Sequence, residues 1–408
     1  MQCGLLGRKL GHSYSPQIHK NLGNYKYDLF EVEPENLDAF FKAANFTGIN
    51  ITMPYKKKVI KYCDELSDCA KKLGAVNTIV KAPDGKLIGH NTDYFGFSSM
   101  LKRTRLSVTG KKVLVLGSGG ASATVVAVLE EAGAIPVIIS RTGENNYTNI
   151  SNHSDARIIV NTTPVGMYPN VDCSPLDLHA FPQLEGVLDV IYNPAHTKLL
   201  QQAEELGLVT ENGLWMLVSQ AKESAEWFTG SAIKDDTIAQ IHKQLRLQMA
   251  NVVLIGMPGC GKSTIGQILA NKLNKKFVDA DAEIAKAAGM SIPEIFKKYD
   301  EAFFRKIETQ VLTELGAHSG LVIATGGGCV TRPKNYQSLH YNGIIVWIRR
   351  DTKQLATNGR PLSQPEKLAD MYAIRKPLYK RFADIPVDNT DSPEITADLI
   401  ISQLDQEI

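Results

Sequence analysis

The 408-residue sequence has no excess of charge of either sign and no ordered set of cysteines. Its formal net charge is +2, from 45 lysines and arginines against 43 aspartates and glutamates, which argues against nucleic acid or an anionic membrane as a partner. The six cysteines form no C-x-x-C pair and no zinc-type spacing. We therefore expect reduced thiols that pack in the interior of a cytosolic protein.

Long apolar runs are missing as well. No stretch approaches the roughly 20 residues that cross a bilayer, and the N-terminus lacks the basic and then apolar order of a signal peptide. The sequence therefore predicts a cytoplasmic protein. Its 43% of hydrophobic and 22% of charged residues are typical of globular chains. The length predicts two or three domains, each able to bury a core, and leaves the oligomeric state open.

The most specific motif is the glycine-rich stretch GMPGCGKS at residues 256–263. It follows an apolar run at 252–255 and precedes a helical pattern at 264–273, which is the strand, loop and helix order of a phosphate-binding loop. The glycines allow backbone N–H groups to point at a polyphosphate, which the start of the helix also attracts. Lys262 would reach the outer phosphates and the Ser263 hydroxyl would bind Mg²⁺. The pattern predicts a nucleoside triphosphate site; a plain glycine-rich turn with a surface lysine is the less favoured alternative.

Short β-like runs alternate with helical patterns along the chain, which predicts an α/β protein with parallel sheets covered by helices. One such run, at 111–116, leads into a glycine turn at 117–121 and then a helical pattern, as in a dinucleotide-binding βαβ unit. Ser122 replaces the third glycine of G-x-G-x-x-G. Arg141 follows the next strand, where an arginine accommodates the 2′-phosphate of NADP and an acid would favour NAD. An exposed loop charge is the alternative interpretation of Arg141.

Two polar segments of the first 100 residues offer groups for a small acid–base site. Ser13 and Ser15 precede Pro16, which suits the first turn of a helix with Ser15 as its N-cap. The two serines also supply two hydroxyls for a small anion. Lys56 lies just past a strand end in a run of three lysines, which is usually a solvated face, so it gains a function only beside an acid. Asp93 is the candidate acid, although Asn-Thr-Asp before a helical pattern is also an N-cap signal.

Charged residues after the phosphate-binding loop suit a second ligand. Asp279 and Asp281 end a predicted strand, on which alternate residues project to the same side, so both would face one site; a solvated strand end is the alternative. Arg305 and Glu308 share one face of a predicted helix, which a surface ion pair would also explain. Three consecutive glycines at 326–328 are conformationally costly, so we expect a ligand to approach the backbone there.

Together, the segments of residues 1 to about 248 closely resemble the shikimate dehydrogenase family, because many separate motifs occur in that family's order. The resemblance implies a split α/β substrate-binding part, 1–100 and 212–248, and a Rossmann-like NADP-binding part, 101–211, with the active site in the cleft between them. It also implies that Lys56 and Asp93 are the catalytic pair. The substrate carboxylate would be held by Ser13, Ser15 and Tyr192, its hydroxyls by Thr52, Asn77 and Gln220, and NADP by Gly117, Ser118, Gly119, Gly120, Ala121, Arg141 and Thr142.

Two departures from the family pattern concern the NADP-binding part. The family usually has a second basic residue four positions after the arginine, where this chain has Asn145. The stretch 143–157 is short and polar, with little room for the strand and helix that usually lie there. We therefore expect a trimmed NADP-binding part with a less sharp preference for NADP.

Residues 249–408 resemble shikimate kinase, a P-loop kinase of the nucleoside monophosphate kinase type, in the loop, the D-x-D, the arginine, the triple glycine and R-x-P-L-Y. The resemblance implies that shikimate binds to Asp281, Arg305, Gly327 and Arg375, and that Asp281 orients or deprotonates the attacking hydroxyl. It implies that ATP and Mg²⁺ bind to Gly256, Gly259, Gly261, Lys262, Ser263, Thr264, Asp279 and Arg360, with Ser263 and Asp279 on the metal. Relatives commonly have an arginine that packs on adenine where this chain has Thr357, so we expect weaker or differently arranged ATP binding.

The two resemblances imply one bifunctional enzyme that reduces 3-dehydroshikimate to shikimate with NADPH and then phosphorylates shikimate to shikimate 3-phosphate with ATP. The product of the first reaction is the substrate of the second, although the two sets of motifs are independent. Two alternatives stay open. The first half could be a quinate/shikimate dehydrogenase that uses NAD. It could also be an inactive docking module for the kinase, against which the presence of both Lys56 and Asp93 argues.

Overall fold

The computed structural model describes residues 1–11, 13–355 and 365–407 of the chain. These residues form two compact units. The first consists of Met1–Pro164, Pro175–Tyr192 and Gln202–Gln244, and the second of Val165–Ser174, Asn193–Gln201 and Leu245–Ile408. Arg360, which the resemblance places on ATP, and Thr357, which stands where relatives commonly have an arginine, lie outside the described residues.

The first unit opens with a six-stranded sheet that has helices between its strands. These elements are β1 (Gln2–Gly7), α1 (Ser15–Leu22), β2 (Lys26–Glu31), α2 (Leu37–Ala43), β3 (Gly48–Ile51), β4 (Glu65–Leu66), α3 (Asp68–Leu73), β5 (Thr78–Lys81), β6 (Leu87–His90) and α4 (Asp93–Thr104). The strand order is β2-β1-β3-β5-β6-β4. β1 is parallel to β2 and β3, whereas β5 is antiparallel to β3 and β6. Antiparallel β5 therefore brings its first residues beside the carboxyl end of β3.

A second, all-parallel sheet follows in the chain. Its strands and the helices of this stretch are β7 (Lys112–Leu116), α5 (Gly120–Glu131), β8 (Ile135–Ile139), β9 (Ile158–Asn161), β10 (Gly186–Asp189), α6 (Lys198–Glu205) and β11 (Val209–Asn212). The strand order is β11-β10-β9-β7-β8, so the glycine turn follows an inner strand. Between β8 and β9, where every residue is described, the chain forms a 3₁₀ turn at Ile150–His153 and neither a further ladder strand nor an α-helix.

Helix α7 (Leu214–Thr229) returns the chain to the first sheet, and α8 (Asp236–Met249) follows it. α7 packs against α1 and α4 and against β3 and β5. Gly96 of α4 allows a close helix contact, because a Cβ atom there would lie 2.9 Å from the Met216 carbonyl oxygen. The polar residues of α7 are thus delivered to the sheet edge that carries residues 50–56 and 77–93.

The second unit is built on a five-stranded parallel sheet. Its elements are β12 (Asn251–Ile255), α9 (Lys262–Leu273), β13 (Lys276–Asp279), α10 (Ala280–Ala288), α11 (Ile292–Lys298), α12 (Glu301–Ala317), β14 (Leu321–Ala324), α13 (Pro333–His340), β15 (Gly343–Arg349), α14 (Pro365–Phe382), β16 (Ile385–Asp388) and α15 (Pro393–Glu407). The order is β13-β14-β12-β15-β16, with β12 in the centre. All five residues of β12 are buried, as expected for a parallel strand covered on both faces. In the described residues, no helix combines the length and the apolar character needed to cross a membrane.

Candidate active sites

The candidate site of the first unit centres on an ion pair of Lys56 and Asp93. Lys56 Nζ donates a hydrogen bond to Asp93 Oδ2 at 2.6 Å, and the two side chains are 30% and 16% exposed. Asp93 is the first residue of the 12-residue helix α4, where the helix dipole stabilises a carboxylate. Lys56 therefore has the acidic neighbour that distinguishes it from Lys57 and Lys58, and the pair can deliver a proton and stabilise a developing oxyanion.

Ser13, Ser15 and Tyr192 supply hydroxyl groups. Ser13 Oγ accepts a hydrogen bond from the backbone N–H of Ser15 at 3.2 Å. The expected N-cap role of Ser15 is wrong, because Tyr14 is the N-cap residue of α1 and Ser15 begins the helix. The Tyr14 ring stands edge-on to the Tyr192 ring, with 6.3 Å between their centroids, which brings Tyr192 to the segment that carries both serines. Burial raises the pKa of Tyr192, so its hydroxyl stays protonated and can donate to an anion.

Amide and hydroxyl side chains surround Thr92, the residue before Asp93. The Thr92 backbone N–H donates to Asn77 Oδ1 at 2.7 Å, and its hydroxyl donates to Gln220 Oε1 at 3.4 Å. Asn77 is 3% exposed and Gln220 is partly exposed on α7. Thr52 follows β3, where its backbone N–H donates to the Leu6 carbonyl at 2.9 Å. The structure thus brings Asn77 and Gln220 together beside the ion pair, from positions 143 residues apart (220 minus 77).

The glycine turn after β7 offers an open helix start. Gly117 has φ +106°, and a Cβ atom there would lie 2.9 Å from Thr162 Oγ1, so only glycine fits. Added Cβ atoms at Gly119 and Gly120 would meet nothing within 4 Å, and no side chain caps α5, so there is open space at the start of this helix. Ser118 is exposed and Ala121 partly exposed at the same turn. This arrangement fits a pyrophosphate, which backbone N–H groups and a helix start both bind.

Arg141 and Thr142 are exposed just past β8, next to that turn. The Gly117 backbone N–H donates to the Ile139 carbonyl at 2.8 Å, which places the end of β8 at the start of the glycine turn. The positive charge of Arg141 fits a 2′-phosphate there. Asn145 stands where relatives have a second basic residue; its Oδ1 accepts a hydrogen bond from His153 Nε2–H at 3.0 Å, within the same loop.

In the second unit, the phosphate-binding loop joins β12 to α9. Gly256 and Gly261 have φ +145° and +100°, and Cβ atoms there would lie 2.5 Å from the Ile348 carbonyl oxygen and 2.8 Å from an Asn389 nitrogen. Lys262 is 8% exposed and its Nζ donates to the carbonyl oxygens of Gly256 and Met257 at 2.9 and 3.0 Å. The ammonium group of Lys262 is therefore held against the part of the loop backbone that would face the phosphates. Gly259 has φ +81°, and Thr264 is exposed in the first turn of α9.

Ser263 and Asp279 form the oxygen pair of this loop. Ser263 Oγ donates to Asp279 Oδ2 at 2.9 Å, which joins two groups of the kind that Mg²⁺ prefers. The prediction that Asp281 lies on the same strand as Asp279 is wrong. Asp279 Oδ1 caps helix α10 by accepting from the Asp281 backbone N–H at 3.0 Å, so the strand stops at Asp279 and Asp281 sits in the first helical turn.

Sequence reasoning missed Asn389, which braces the loop from the end of β16. Its side-chain Nδ2 donates to the Cys260 carbonyl at 2.8 Å, and its Oδ1 accepts from the Thr396 hydroxyl at 3.0 Å. Asn389 is 3% exposed. A buried amide directly after the alternating strand Ile385–Asp388 is the signal that was available.

Arg305 and Glu308 form a buried pair, not a surface one. Arg305 Nη1 donates to Glu308 Oε2 at 2.8 Å, and the side chains are 10% and 1% exposed. Glu301, 67% exposed, holds the other side of the guanidinium at 3.0 Å. Burial raises the pKa of Glu308 while Arg305 opposes that rise. Glu308 is thus a second residue whose function sequence reasoning missed: it orients the Arg305 guanidinium.

The three glycines after β14 make room for neighbouring side chains, two of them charged. Added Cβ atoms at Gly326, Gly327 and Gly328 would lie 2.7 Å from Asp281 Oδ1, 2.6 Å from Pro258 Cδ and 2.2 Å from Arg305 Nη2. Crowding by these side chains is therefore one reason for the glycines, beside the ligand approach that the sequence suggested. Arg375 Nη1 and the Tyr379 hydroxyl both donate to the Gly327 carbonyl oxygen, at 3.2 and 2.5 Å.

The second candidate site thus collects two guanidinium groups and an aspartate beside the phosphate-binding loop. Arg305 lies against Gly328, and Asp281 lies against Gly326. Gly327 is in contact with Pro258 and accepts a hydrogen bond from Arg375. Paired guanidinium groups suit a carboxylate, because the planar fork of arginine bonds it bidentately. Of the residues predicted for this site, Arg360 alone falls outside the described residues.

Comparisons with known proteins match the two parts of the chain to two different families. The family model described as shikimate dehydrogenase substrate binding domain matches residues 5–79, and the one described as shikimate kinase matches residues 258–405. The shikimate dehydrogenase (NADP(+)) of Clostridium perfringens is 36% identical over 265 residues, which cover 60% of this chain and 97% of that protein.

Solved structures give the same result. A chorismate mutase/shikimate 5-dehydrogenase fusion protein from Clostridium acetobutylicum is 37% identical with a TM-score of 0.57, over 60% of this chain and 96% of that one. The shikimate 5-dehydrogenase of Thermus thermophilus in complex with NADP(H) and shikimate is 29% identical with a TM-score of 0.55, over 60% and 99%. Since this chain spans nearly the whole of a relative at 36% identity, it belongs to the shikimate dehydrogenase family, and a shikimate kinase domain continues the same polypeptide.

Proposed function

We propose that this chain is a bifunctional enzyme of the shikimate pathway, which leads to chorismate and the aromatic amino acids. Residues 1–248 reduce 3-dehydroshikimate to shikimate with NADPH, and residues 249–408 phosphorylate shikimate with ATP and Mg²⁺. The observation that carries the proposal is the Lys56–Asp93 ion pair at 2.6 Å, because a proton donor is what the reduction of a ketone requires. The arginines and the aspartate beside the phosphate-binding loop support the second activity.

In the dehydrogenase reaction, NADPH bound at the glycine turn supplies the hydride. Lys56 donates a proton from Nζ to the ketone oxygen as negative charge develops there, and its ammonium group stabilises that charge. Asp93 holds the ammonium group in place through the hydrogen bond to Oδ2. Ser13, Ser15 and Tyr192 bind the carboxylate of the substrate through their hydroxyls, while Thr52, Asn77 and Gln220 bond its ring hydroxyls. Arg141, Thr142 and the backbone of 117–121 hold the cofactor.

In the kinase reaction, ATP supplies the phosphoryl group. Arg305 and Arg375 bind the carboxylate of shikimate, and Glu308 keeps Arg305 in the orientation that this requires. Asp281 orients the attacking hydroxyl or accepts its proton. Lys262 exchanges its two carbonyl partners for the outer phosphates, and Ser263 and Asp279 hold Mg²⁺ directly or through water. The backbone of Gly256, Gly259 and Gly261, with Thr264, holds the other phosphates, Gly327 contacts shikimate, and Arg360 neutralises charge on the transferring group.

The test is an incubation of the full chain with 3-dehydroshikimate, NADPH, ATP and Mg²⁺, in which NADPH loss and phosphorylated product are followed together. Lys56→Ala should lower NADPH oxidation by about 10²–10⁴-fold, the usual contribution of one positioned acid, and leave phosphorylation of added shikimate unchanged. Lys57→Ala is the matched control, because Lys57 is exposed and makes no ion pair that the structure records. Lys262→Ala should abolish phosphorylation alone, with Lys272→Ala on the same helix as its control.

Two results would redirect the assignment. Equal or higher kcat/KM with NAD would support a quinate/shikimate dehydrogenase in the first half, against the positive charge of Arg141. Absence of NADPH oxidation with 3-dehydroshikimate, in a chain that still phosphorylates shikimate, would support an inactive docking module. Unchanged NADPH oxidation in Lys56→Ala would contradict the role of the ion pair directly.

A further inference from the structure

A cluster of buried polar side chains lies behind the candidate substrate site of the first unit. We call this the buried polar network; its members are Asn50, Asn77, Thr78, Thr92 and Ser224. Each is at most 5% exposed. They come from β3, the start of β5, the residue before α4, and α7. Buried polar groups are costly unless their hydrogen bonds are satisfied, so the pattern of donors and acceptors in this network carries information.

Asn50 is the centre of the network. Its Oδ1 accepts from the Tyr27 hydroxyl at 2.8 Å, and its Nδ2 donates to Thr78 Oγ1 at 3.0 Å and Ser224 Oγ at 2.8 Å. The donor role of Nδ2 follows from Ser224. The only proton of that hydroxyl goes to the Gln220 carbonyl oxygen at 2.9 Å, so Ser224 must accept from Asn50.

The direction of these bonds is passed on to Asn77. Because Thr78 Oγ1 accepts from Asn50, its own proton has two acceptors within reach, Asn77 Oδ1 at 3.1 Å and Ser224 Oγ at 3.0 Å. Ser224 Oγ already accepts from Asn50, so we assign the Thr78 proton to Asn77 Oδ1. The backbone N–H of Thr92 donates to the same oxygen at 2.7 Å. Two donors therefore hold Asn77 Oδ1, and Asn77 Nδ2 faces Thr92 Oγ1 at 3.0 Å with one N–H, which leaves its second N–H for a ligand.

We propose that Asn50 is a positioning residue of the dehydrogenase, which acts through Asn77. It sets the direction of the hydrogen bonds in the buried polar network, so that Asn77 presents an N–H, and not its carbonyl oxygen, to a ring oxygen of the substrate. The bound oxygen must then accept a hydrogen bond at this point. The inference rests on the proposed dehydrogenase function. It assigns to that function a residue, Asn50, that acts without contacting the substrate.

An Asn50→Asp substitution keeps the shape of the side chain and removes its only donor. A carboxylate accepts and cannot donate, so the protons of Thr78 and Ser224 turn toward it. Thr78 then no longer donates to Asn77 Oδ1, and the Asn77 amide is freed to rotate. Tyr27→Phe is the milder variant, since it removes only the hydroxyl that holds Asn50 Oδ1.

The experiment measures KM and kcat for shikimate oxidation by the full chain with saturating NADP, in the natural chain and in an Asn77→Ala background. We expect Asn50→Asp to raise the KM for shikimate about tenfold, the equivalent of one hydrogen bond, and to leave the KM for NADP and the kinase rate unchanged. Tyr27→Phe should raise it by a smaller factor. In the Asn77→Ala background, neither substitution should raise the KM further, because the residue through which Asn50 acts is gone.

Equal increases of KM in both backgrounds would overturn the proposal, since a merely structural role of Asn50 does not depend on Asn77. An unchanged KM in both variants would overturn it as well. Loss of the NADP-dependent activity together with a lowered melting temperature would show that Asn50→Asp does not fold. Tyr27→Phe then takes its place, and its increase of the KM must disappear in the Asn77→Ala background. A natural chain without dehydrogenase activity contradicts the proposed function itself, and this is seen before any variant is made.

Discussion

Gly328→Ala should specifically weaken shikimate binding by the kinase. Gly328 has φ −100° and ψ 0°, which alanine adopts without strain, so the substitution acts through its new methyl group alone. That Cβ atom would lie 2.2 Å from Arg305 Nη2 and 2.5 Å from Nη1, whereas an ordinary contact needs roughly 3.4 Å or more. The guanidinium must therefore move by about 1 Å, and the end of a long side chain can do so without unfolding the site.

The displacement has a defined magnitude. It lengthens the 2.8 Å bond from Arg305 Nη1 to Glu308 Oε2 and moves the fork away from the carboxylate that it is proposed to bind. Loss of one hydrogen bond to a charged group costs about 1.5–3 kcal/mol, which corresponds to a rise of roughly 10- to 150-fold in the KM for shikimate. We expect the KM for ATP and the dehydrogenase rate of the same chain to stay unchanged, which serves as the folding control.

The matched control is the same substitution in an Arg305→Ala background. Without the guanidinium, the methyl group no longer crowds any atom of residue 305, so Gly328→Ala should have no effect on the KM for shikimate in that background. Steady-state kinetics with varied shikimate at saturating ATP measures both effects. An unchanged KM in Gly328→Ala, or the same increase with and without Arg305, would refute the reasoning that the glycine exists to make room for this arginine.

Three further predictions follow from the structure. Ser263→Ala should raise about tenfold the Mg²⁺ concentration that half-saturates the kinase, because Asp279 loses the partner with which it would share the metal. A magnesium titration at fixed ATP measures this concentration, and an unchanged titration would contradict the metal role. Asn389→Ala should raise the KM for ATP without changing that for shikimate, since the Cys260 carbonyl loses a buried donor; an equal rise in both would indicate general destabilisation. Burial lowers the pKa of His19 to about 3 from an ordinary 6.5. As the pH falls below 6.5, the unfolded state therefore binds a proton at His19 that the folded state does not bind, and the stability of the first unit decreases. The loss at pH 5 is about 2 kcal/mol, and thermal unfolding of His19→Phe between pH 7 and 5 should have a flatter pH dependence; identical slopes would contradict this cause.

Local motifs were predictable from the sequence because neighbouring residues determine them. The phosphate-binding loop and the glycine turn lie where the pattern of strand, glycines and helix indicated, since positive φ angles at Gly117, Gly256 and Gly261 leave few alternatives to glycine. The α/β class with parallel sheets is confirmed for the same reason: apolar runs without alternation, such as β12, require cover on both faces.

Predictions from the sequence failed where a helix cap or a residue distant in the sequence determines the local structure. Asp281 was expected on a strand, but the Asp279 side chain caps a helix at that point and ends the strand two residues earlier. Asn389 braces the phosphate-binding loop across 129 residues of sequence, and spacing alone cannot give such a contact. The Lys56–Asp93 distance is likewise a property of the fold. From the residues alone Asp93 was a candidate acid for Lys56, and the family resemblance implied that the two are a pair.

Helix α7 has a consequence for the order in which the chain matures. The hydrogen bond from Asn50 to Ser224 spans 174 residues, so at roughly 5–20 residues per second Asn50 emerges from the ribosome roughly 9–35 s before its partner. Until then the amide and hydroxyls of β3 and β5 must remain hydrated, and the first sheet lacks the helix that covers it. Residues 1–100 are therefore not a self-sufficient folding module, and truncation before residue 214 should give an aggregation-prone fragment during synthesis. Most of the kinase half, by contrast, forms from the contiguous stretch that leaves the ribosome afterwards.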